Sequence, residues 1–152
     1  GCAYLGQHLV PWRALLADER SSPTEIRQVT LDDASHLWLN HNTRVDIAFT
    51  PQQRRLVLIQ GEILVDSSND PRPLVVETLS GEVRANHARF SVDYQHDGTY
   101  VNAFNGDLHI HPRLGNASLL PSGKGIWLRR AGSSWQWDTQ PSRVNTQGWP
   151  PQ

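Results

Sequence analysis

The sequence predicts an all-β fold of about ten to twelve short, mostly antiparallel strands, arranged as a two-sheet sandwich or roll. Beyond Pro23, apolar residues stand at alternate positions and are rich in β-branched and aromatic types, which favours strands over helices. Turn-forming pairs separate these segments at the roughly 8–12-residue spacing of sandwiches and barrels. These pairs are Asp32-Asp33, Thr50-Pro51, Gln60-Gly61, Asp70-Pro71, Ser80-Gly81, Asp97-Gly98, Asn105-Gly106 and Gly115-Asn116.

The N-terminal segment is the one place where the pattern favours a helix. Residues Trp12–Arg20 are good helix formers, and Pro11 stands where a helix can begin. Pro23 excludes the helical conformation for the residue before it, so the helix should end by then. We therefore expect a short helical turn before the strands.

Three later segments carry specific local predictions. Tyr100–Phe104 and Leu108–Ile110 should pair as a hairpin across Asn105-Gly106, because this dipeptide tolerates the positive φ of a tight turn. Ser67–Pro73 contains two prolines and should be a loop between two parts of the sheet system. A last short strand is expected around Trp135–Trp137.

Length and composition set the domain organisation. With 152 residues, the chain can bury one core, and we divide it into a linker with a short helix (1–24), an all-β domain (25–138) and a linker (139–152). The 14 basic and 15 acidic residues give a net charge of −1, so no nucleic-acid partner is predicted. No run of about 18 apolar residues is present, so the sequence contains no complete membrane span.

Candidate chemistry is sparse. His109 and His111 face the same side of a predicted strand, but a metal site would need a third ligand, so solvent-facing histidines are the favoured interpretation. Asp32 and Asp33 lie in a turn, where aspartates bond their own backbone. We therefore predict a non-enzymatic binding module without a cofactor or a metal, whose recognition surface is an edge strand or the loops.

Tryptophans could add a second kind of surface. Of six in the chain, Trp127 and one of Trp135 and Trp137 are expected in the core, and Trp149 is expected to be exposed. Exposed members of the set Trp135, Trp137 and Trp149 form a possible interaction surface. An extracytoplasmic carbohydrate-binding β-sandwich is therefore the alternative function.

Ordered motifs over Trp12 to Val101 resemble the periplasmic domain of FecR-type anti-sigma factors. A Pro-Trp pair is followed by a V-T-L-x-D-G-S-x-L-x-L-N run, an R-x-V-x-L-x-x-G-E hairpin motif and a D-P-x-x-P-F-x-V-x-T motif. The matching residues include Pro11, Trp12, Val29, Thr30, Leu31, Asp33, Ser35, Leu37, Leu39, Asn40, Arg55, Val57, Ile59, Gly61, Glu62, Val65, Pro71, Pro73, Val75, Val76, Glu77 and Thr78.

The resemblance implies a periplasmic relay domain of a single-pass inner-membrane regulator in siderophore signalling. Its partners would be the N-terminal signalling domain of a TonB-dependent receptor and, through a preceding domain, a cytoplasmic sigma factor. A secretin/TonB N-terminal-like module would begin near Trp149.

Two departures from the family pattern carry predictions. Ala34 replaces the usual glycine of D-G-S, so the turn is expected to avoid a positive φ there. His87 and Ala88 replace a Gly-Thr pair at which some family members cleave themselves through the threonine hydroxyl. Because alanine has no hydroxyl, the resemblance implies that self-cleavage is lost at this position, as in the pseudobactin-regulator branch.

Overall fold

The described residues of the computed structural model, 15–131, 134–141 and 149–151, form an all-β fold. Thirteen strands are present in this part of the chain, which confirms the predicted class and exceeds the predicted strand number slightly. They are β1 (Leu15–Arg20), β2 (Arg27–Thr30), β3 (His36–Leu39), β4 (Arg44–Phe49), β5 (Arg54–Asp66), β6 (Leu74–Thr78), β7 (Gly81–Ala85), β8 (Arg89–Gln95), β9 (Gly98–Asn105), β10 (Leu108–Pro112), β11 (Ser118–Leu120), β12 (Lys124–Ala131) and β13 (Ser134–Pro141).

The strands form two sheets that share β5. The first sheet has the order β1-β4-β5-β6-β7-β10-β11, and the second has the order β2-β3-β5-β8-β9-β12-β13. The β5–β6 pair is parallel, and the other pairs among these strands are antiparallel. One hydrophobic core receives side chains from both sheets. We call the face of each sheet that points away from this core its outer face.

The long strand β5 belongs to the first sheet in its first half and to the second sheet in its second half. Leu56 and Leu58 point into the core in the first half, whereas Ile63 and Val65 do so in the second half. Side chains of a regular strand alternate between faces, so even-numbered and odd-numbered residues could not both point inward without an irregularity. Gly61 lies where the inward-pointing residues of β5 change from even-numbered to odd-numbered positions.

The irregularity is a bend at Gly61, where the sequence had suggested a turn between strands. The register between β4 and β5 shifts beside Arg44 and Val45, and Gly61 has a φ of +89°. A Cβ added to Gly61 would lie 2.2 Å from Oγ1 of Thr43. The predicted turn at Gln60-Gly61 is therefore wrong, because a bulge lets the chain continue from one sheet into the other.

The predicted N-terminal helical turn is also wrong where the chain is described. Leu15–Arg20 form strand β1, which pairs with β4 from Leu15 opposite Phe49 to Arg20 opposite Arg44. Helix propensity is a weak preference, and here pairing along the edge of the first sheet overrides it. Residues 12–14 of the predicted helix lie outside the described part.

The hairpin predicted across Asn105-Gly106 does not form. Gly106 has the expected positive φ of +90°, but β9 pairs with β8 and β12, whereas β10 pairs with β7 and β11. The turn therefore carries the chain from the second sheet to the first. Leu108 and Ile110 are buried in the shared core, and this burial selects their partner strands.

Two other local predictions are confirmed. Residues 67–73 form a loop between β5 and β6 that takes the chain from the second sheet back to the first. Trp135 and Trp137 lie in β13, which continues to Pro141, past the predicted end of the domain at residue 138.

Candidate functional site

The loop at residues 86–88, which contains the predicted His87-Ala88 position, joins β7 to β8 and is tied to Ser67. The backbone N–H of Ala88 donates to Oγ of Ser67 at 2.9 Å, and the Ser67 N–H donates to the Ala88 carbonyl at 2.9 Å. The Ser67 hydroxyl lies 3.1 Å from the same carbonyl oxygen and 3.3 Å from that of Asn86. Ala88 is buried and His87 is exposed. The backbone at this position is thus held on both sides of residue 88.

Gly106 allows the turn after β9 to lie directly against this loop. A Cβ at Gly106 would stand 2.9 Å from the carbonyl oxygen of His87 and 3.0 Å from Cβ of Ala88. A larger residue would push the two loops apart. The Asn-Gly signal in the sequence therefore marks a close loop–loop approach.

A buried arginine joins this loop to two others. Nη2 of Arg54 donates to the Asn86 carbonyl at 2.9 Å, Nε donates to the Arg72 carbonyl at 2.9 Å, and Nη1 lies 3.2 Å from the Ser68 carbonyl. Nη1 also forms an ion pair with Asp33 at 2.7 Å, and both side chains are 0% exposed. We call Arg54, Asp33 and their partners the Arg54 cluster.

Asp33 receives several hydrogen bonds in the Arg54 cluster. Besides Arg54, its carboxylate accepts from the Ser35 N–H at 2.9 Å, the Ser35 hydroxyl at 2.7 Å and the Ser68 hydroxyl at 3.2 Å. Burial acts to raise the pKa of Asp33, but the bonds from Arg54 and Ser35 outweigh it, so the pKa of this carboxyl is lowered. Asp33 is therefore an ionised structural partner.

Ala34 differs from its prediction. Its φ is +72°, although the sequence suggested that the turn would avoid a positive value. The turn closes through hydrogen bonds from Leu31 N–H to the Ser35 carbonyl and from Ala34 N–H to the Leu31 carbonyl. Together with the buried Asp33, these bonds hold alanine in a conformation that glycine would adopt at lower cost.

The loop at 67–73 is braced at its other end by Arg72. Its guanidinium pairs with Asp70 at 2.8 Å, donates to the Thr50 carbonyl at 3.2 Å and lies 5.7 Å from the ring centre of Phe49. Hydrogen bonds from Arg72 hold the pKa of Asp70 below its usual range. The 31–35, 67–73 and 86–88 loops therefore form one cross-linked end of the domain.

The polar groups of this loop end are held in hydrogen bonds. Position 88 has no hydroxyl, and the Ser67 hydroxyl is bonded to the backbone on both sides of it. Within residues 15–131, 134–141 and 149–151, no group of three or more His, Cys, Asp or Glu side chains is placed to hold a metal ion. The hydrogen bonds and ion pairs of this end hold the 31–35, 67–73 and 86–88 loops together.

The paired histidines lie on the outer face of the first sheet. His109 is opposite Arg84, and His111 is opposite Glu82. His109 is exposed and His111 is half-buried. The two histidines lie on one face of the strand, as predicted, and the residues opposite them on β7 are an arginine and a glutamate.

Trp127 and Trp149 do not follow the predicted division. Trp127 is half-buried on the outer face of the second sheet, 5.9 Å from Tyr100 between ring centres, and does not lie in the core. Trp149 is half-buried, whereas exposure was expected. Trp135 and Trp137 lie two residues apart on β13, but their side chains are outside the described part.

Sequence analysis missed the Arg54 cluster. Arg54 stands next to Arg55, which belongs to the recognised motif, and a buried arginine cannot be told from a half-buried one by residue type alone. The available signal was strand alternation, because the inward positions Leu56 and Leu58 place Arg54 on the same face.

Comparison with known proteins identifies the family. The FecR protein family matches residues 17–109, from β1 to β10. The chain belongs to the FecR family. No curated protein sequence matches it.

Solved structures show the same fold. Two crystal structures of a candidate anti-sigma factor from Parabacteroides distasonis superpose with TM-scores of 0.75 and 0.74, each at 22% identity. The matches cover 84% and 83% of this chain, but only 61% and 60% of those chains. The chain therefore spans less than two thirds of these relatives.

Proposed function

We propose that this chain is the periplasmic relay domain of a FecR-type sigma regulator. In this proposal, it senses siderophore occupancy of a TonB-dependent outer-membrane receptor through the receptor's N-terminal signalling domain. A preceding domain of the same single-pass inner-membrane protein would carry the signal to a cytoplasmic sigma factor. The supporting observation is the family match over residues 17–109 on an intact β-domain.

The structure is compatible with a relay that works through binding. The loop end is cross-linked by a buried ion pair, so it can present a preformed surface with little ordering cost on association. Among the described residues, no helix is long and apolar enough to span a membrane.

Calorimetric titration with the purified signalling domain of the cognate receptor tests the proposal. This chain and a longer one extended past Gln152 should be compared, with the signalling domain of an unrelated receptor as the control. Binding by both chains to the cognate domain alone would place the recognition surface on the β-domain. Binding by neither would overturn the relay assignment.

We further propose that this protein does not cleave itself between His87 and Ala88. The chemistry known in the family needs a hydroxyl on the residue after the cleaved bond, and Ala88 has none. The Ala88 N–H and carbonyl are also held by Ser67. Intact mass spectrometry should show one chain, and fragments ending at His87 and starting at Ala88 would contradict the proposal.

A further inference from the structure

The two edges of the first sheet differ in how they are protected. At one edge, β1 carries the charged residues Asp18, Glu19 and Arg20. The side chain of Arg27 in β2 reaches across to this strand, where it pairs with Glu19 at 2.9 Å and donates to the Arg20 carbonyl at 2.9 Å. Charged side chains on an edge strand oppose pairing with a further strand. The β1 edge is therefore protected.

β11, at the other edge of this sheet, has no such protection. It pairs with β10 on one side, and no strand of the described ranges pairs with its other side. The chain has no charged residue between Arg113 and Lys124. Residues 113–119 are all exposed, so no other segment covers their side chains. We call residues 116–120 the β11 edge, which is open to a further strand.

Apolar side chains lie along the same border of the sheet. Among the described residues, the three most exposed large apolar side chains are Leu79 (64%), Leu114 (56%) and Leu119 (55%). Leu119 lies in β11, and Leu114 lies in the turn before it. The N–H of Arg113 donates to the Ser80 carbonyl at 2.9 Å, which holds the turn of Leu79 against that of Leu114. Such grouping of exposed apolar side chains is typical of an interaction surface.

The charges at the two ends of the β11 edge select the kind of partner. Arg113 precedes the edge and Lys124 follows the short turn after it, and both side chains are exposed. Asp107, the acidic residue beside Lys124, accepts a hydrogen bond from the N–H of Ser122 at 3.0 Å. An uncharged strand between two cations is complementary to a segment that is uncharged at its centre and acidic at its ends.

A second copy of this chain fits the edge less well. Antiparallel pairing of β11 with itself, centred on Leu119, would place Leu120 of each copy opposite Ser118 of the other. In this register, the turn that contains Arg113 lies beside the turn that leads to Lys124 of the other copy. Two pairs of like charges would then meet, which opposes pairing.

We propose that the β11 edge binds an extended, acidic-ended segment of a partner protein as an additional strand. The segment pairs its backbone with β11, places an apolar side chain beside Leu119 and directs its acidic residues towards Arg113 and Lys124. In strand addition, main-chain hydrogen bonds give affinity and side chains give specificity. The inference goes beyond the relay proposal, because it holds for whichever protein supplies the acidic segment.

NMR titration of the isotope-labelled full chain with synthetic peptides tests the proposal. The peptide DDTVTVTDD has the expected charge pattern, and KKTVTVTKK reverses the charge. DDTPPVTDD keeps the charge but has two successive prolines, so that one lost backbone donor faces β11 in either register. The amide signals of residues 116–120 should shift with the first peptide, which should bind at least about tenfold more tightly than the second. The third should cause no shift there.

Three variants of the chain locate the site. The double variant Arg113→Glu, Lys124→Glu should weaken binding of DDTVTVTDD about tenfold. The matched double variant Arg20→Glu, Arg44→Glu, near the β1 edge, should leave binding unchanged. Leu119→Asp should prevent binding, because the new carboxylate repels the acidic peptide. Its side chain is exposed, so the circular dichroism spectrum should stay the same.

The absence of shifts at residues 116–120 with DDTVTVTDD at millimolar concentration would overturn the proposal. Equal binding of KKTVTVTKK would exclude an acidic partner. Shifts at these residues that grow with protein concentration in the absence of peptide would assign the edge to a second copy, and shifts confined to β1 would move the site to the opposite edge. Because no receptor domain is used, failure here is distinguishable from failure of the relay proposal.

Discussion

Arg54 and Arg55 are neighbours in β5, yet they lie in opposite environments. Arg54 points inward and pairs with Asp33, with both side chains 0% exposed. Arg55 points outward and pairs with Glu77 and Glu82, and these three side chains are 22%, 43% and 26% exposed. The same residue type thus forms a buried cluster on one face of the strand and a surface network on the other.

The difference shows that environment determines the energetic role of an ion pair. Inside, Arg54 also satisfies carbonyls of the 67–73 and 86–88 loops, and its removal would leave Asp33 charged and buried. Outside, water can replace the partners of Arg55. Four predictions test this contrast, from the largest expected effect to the smallest.

Arg54→Leu should lower the free energy of unfolding by about 3–5 kcal/mol, because an uncompensated carboxylate and several carbonyls remain buried. The matched variant Arg55→Leu should cost less than about 1 kcal/mol, since its pairs are partly exposed. Urea unfolding followed by circular dichroism measures both. Equal midpoints for the two variants would show that the inner pair has no special role.

Gly61→Ala should cost about 1–3 kcal/mol, because φ is +89° and the new Cβ would collide with Thr43. The bend at Gly61 sets which residues of β5 point inward, so this variant tests the origin of the contrast. Gly123→Ala, at φ +87° with no atom within 4 Å of the added Cβ, is the control for backbone strain alone. If Gly123→Ala lowered the free energy of unfolding as much as Gly61→Ala, the collision with Thr43 would be excluded as the cause.

The pH dependence of stability should report the Arg54 cluster. The pKa of Asp33 is lowered in the folded chain. The stability that its ionised carboxylate contributes is therefore present above the unfolded pKa of about 3.9 and is lost as the pH falls further. Asp33→Asn should be less stable at neutral pH and should lose less stability on acidification. Thermal unfolding between about pH 7 and pH 3 measures this.

Glu82 provides the outer-face control for that titration. Burial acts to raise the pKa of Glu82, but hydrogen bonds from Arg84 and Arg55 outweigh it and lower the pKa. Because these groups are partly exposed, the acid sensitivity of Glu82→Gln should stay close to that of the wild type. If Glu82→Gln changed the acid sensitivity of stability more than Asp33→Asn did, the contrast between the buried and the outer ion pairs would be reversed.

Ala34→Gly should stabilise the domain by about 1 kcal/mol, because glycine accepts a φ of +72° without steric cost. Ala48→Gly in β4 is the matched control and should destabilise by about 0.5–1 kcal/mol, since glycine weakens strands. Differential scanning calorimetry compares the two midpoints. A shift of the same sign in both variants would argue against a strained turn at Ala34.

The sequence was informative where local chemistry decides structure. Alternating apolar residues placed the central strands, the two prolines marked the 67–73 loop, and the ordered motifs identified the family. It was misleading where partners come from distant segments. The helix formers of Leu15–Arg20 pair with β4, and the turn at Asn105-Gly106 joins two sheets.

The candidate sites show the same division. The absence of a hydroxyl at Ala88 is readable directly, because it depends on one residue type. The cluster that surrounds it is not readable, because Arg54, Asp33 and Asn86 are far apart in sequence and meet only when the loops gather.

By itself, the sequence determined the all-β class, the family and the chemistry that position 88 lacks, since each depends on residue type and short-range order. The tertiary structure alone decided which strands pair, which of two adjacent arginines is buried and how Ala34 is held at positive φ. These outcomes depend on long-range packing, in which core burial selects among locally similar alternatives.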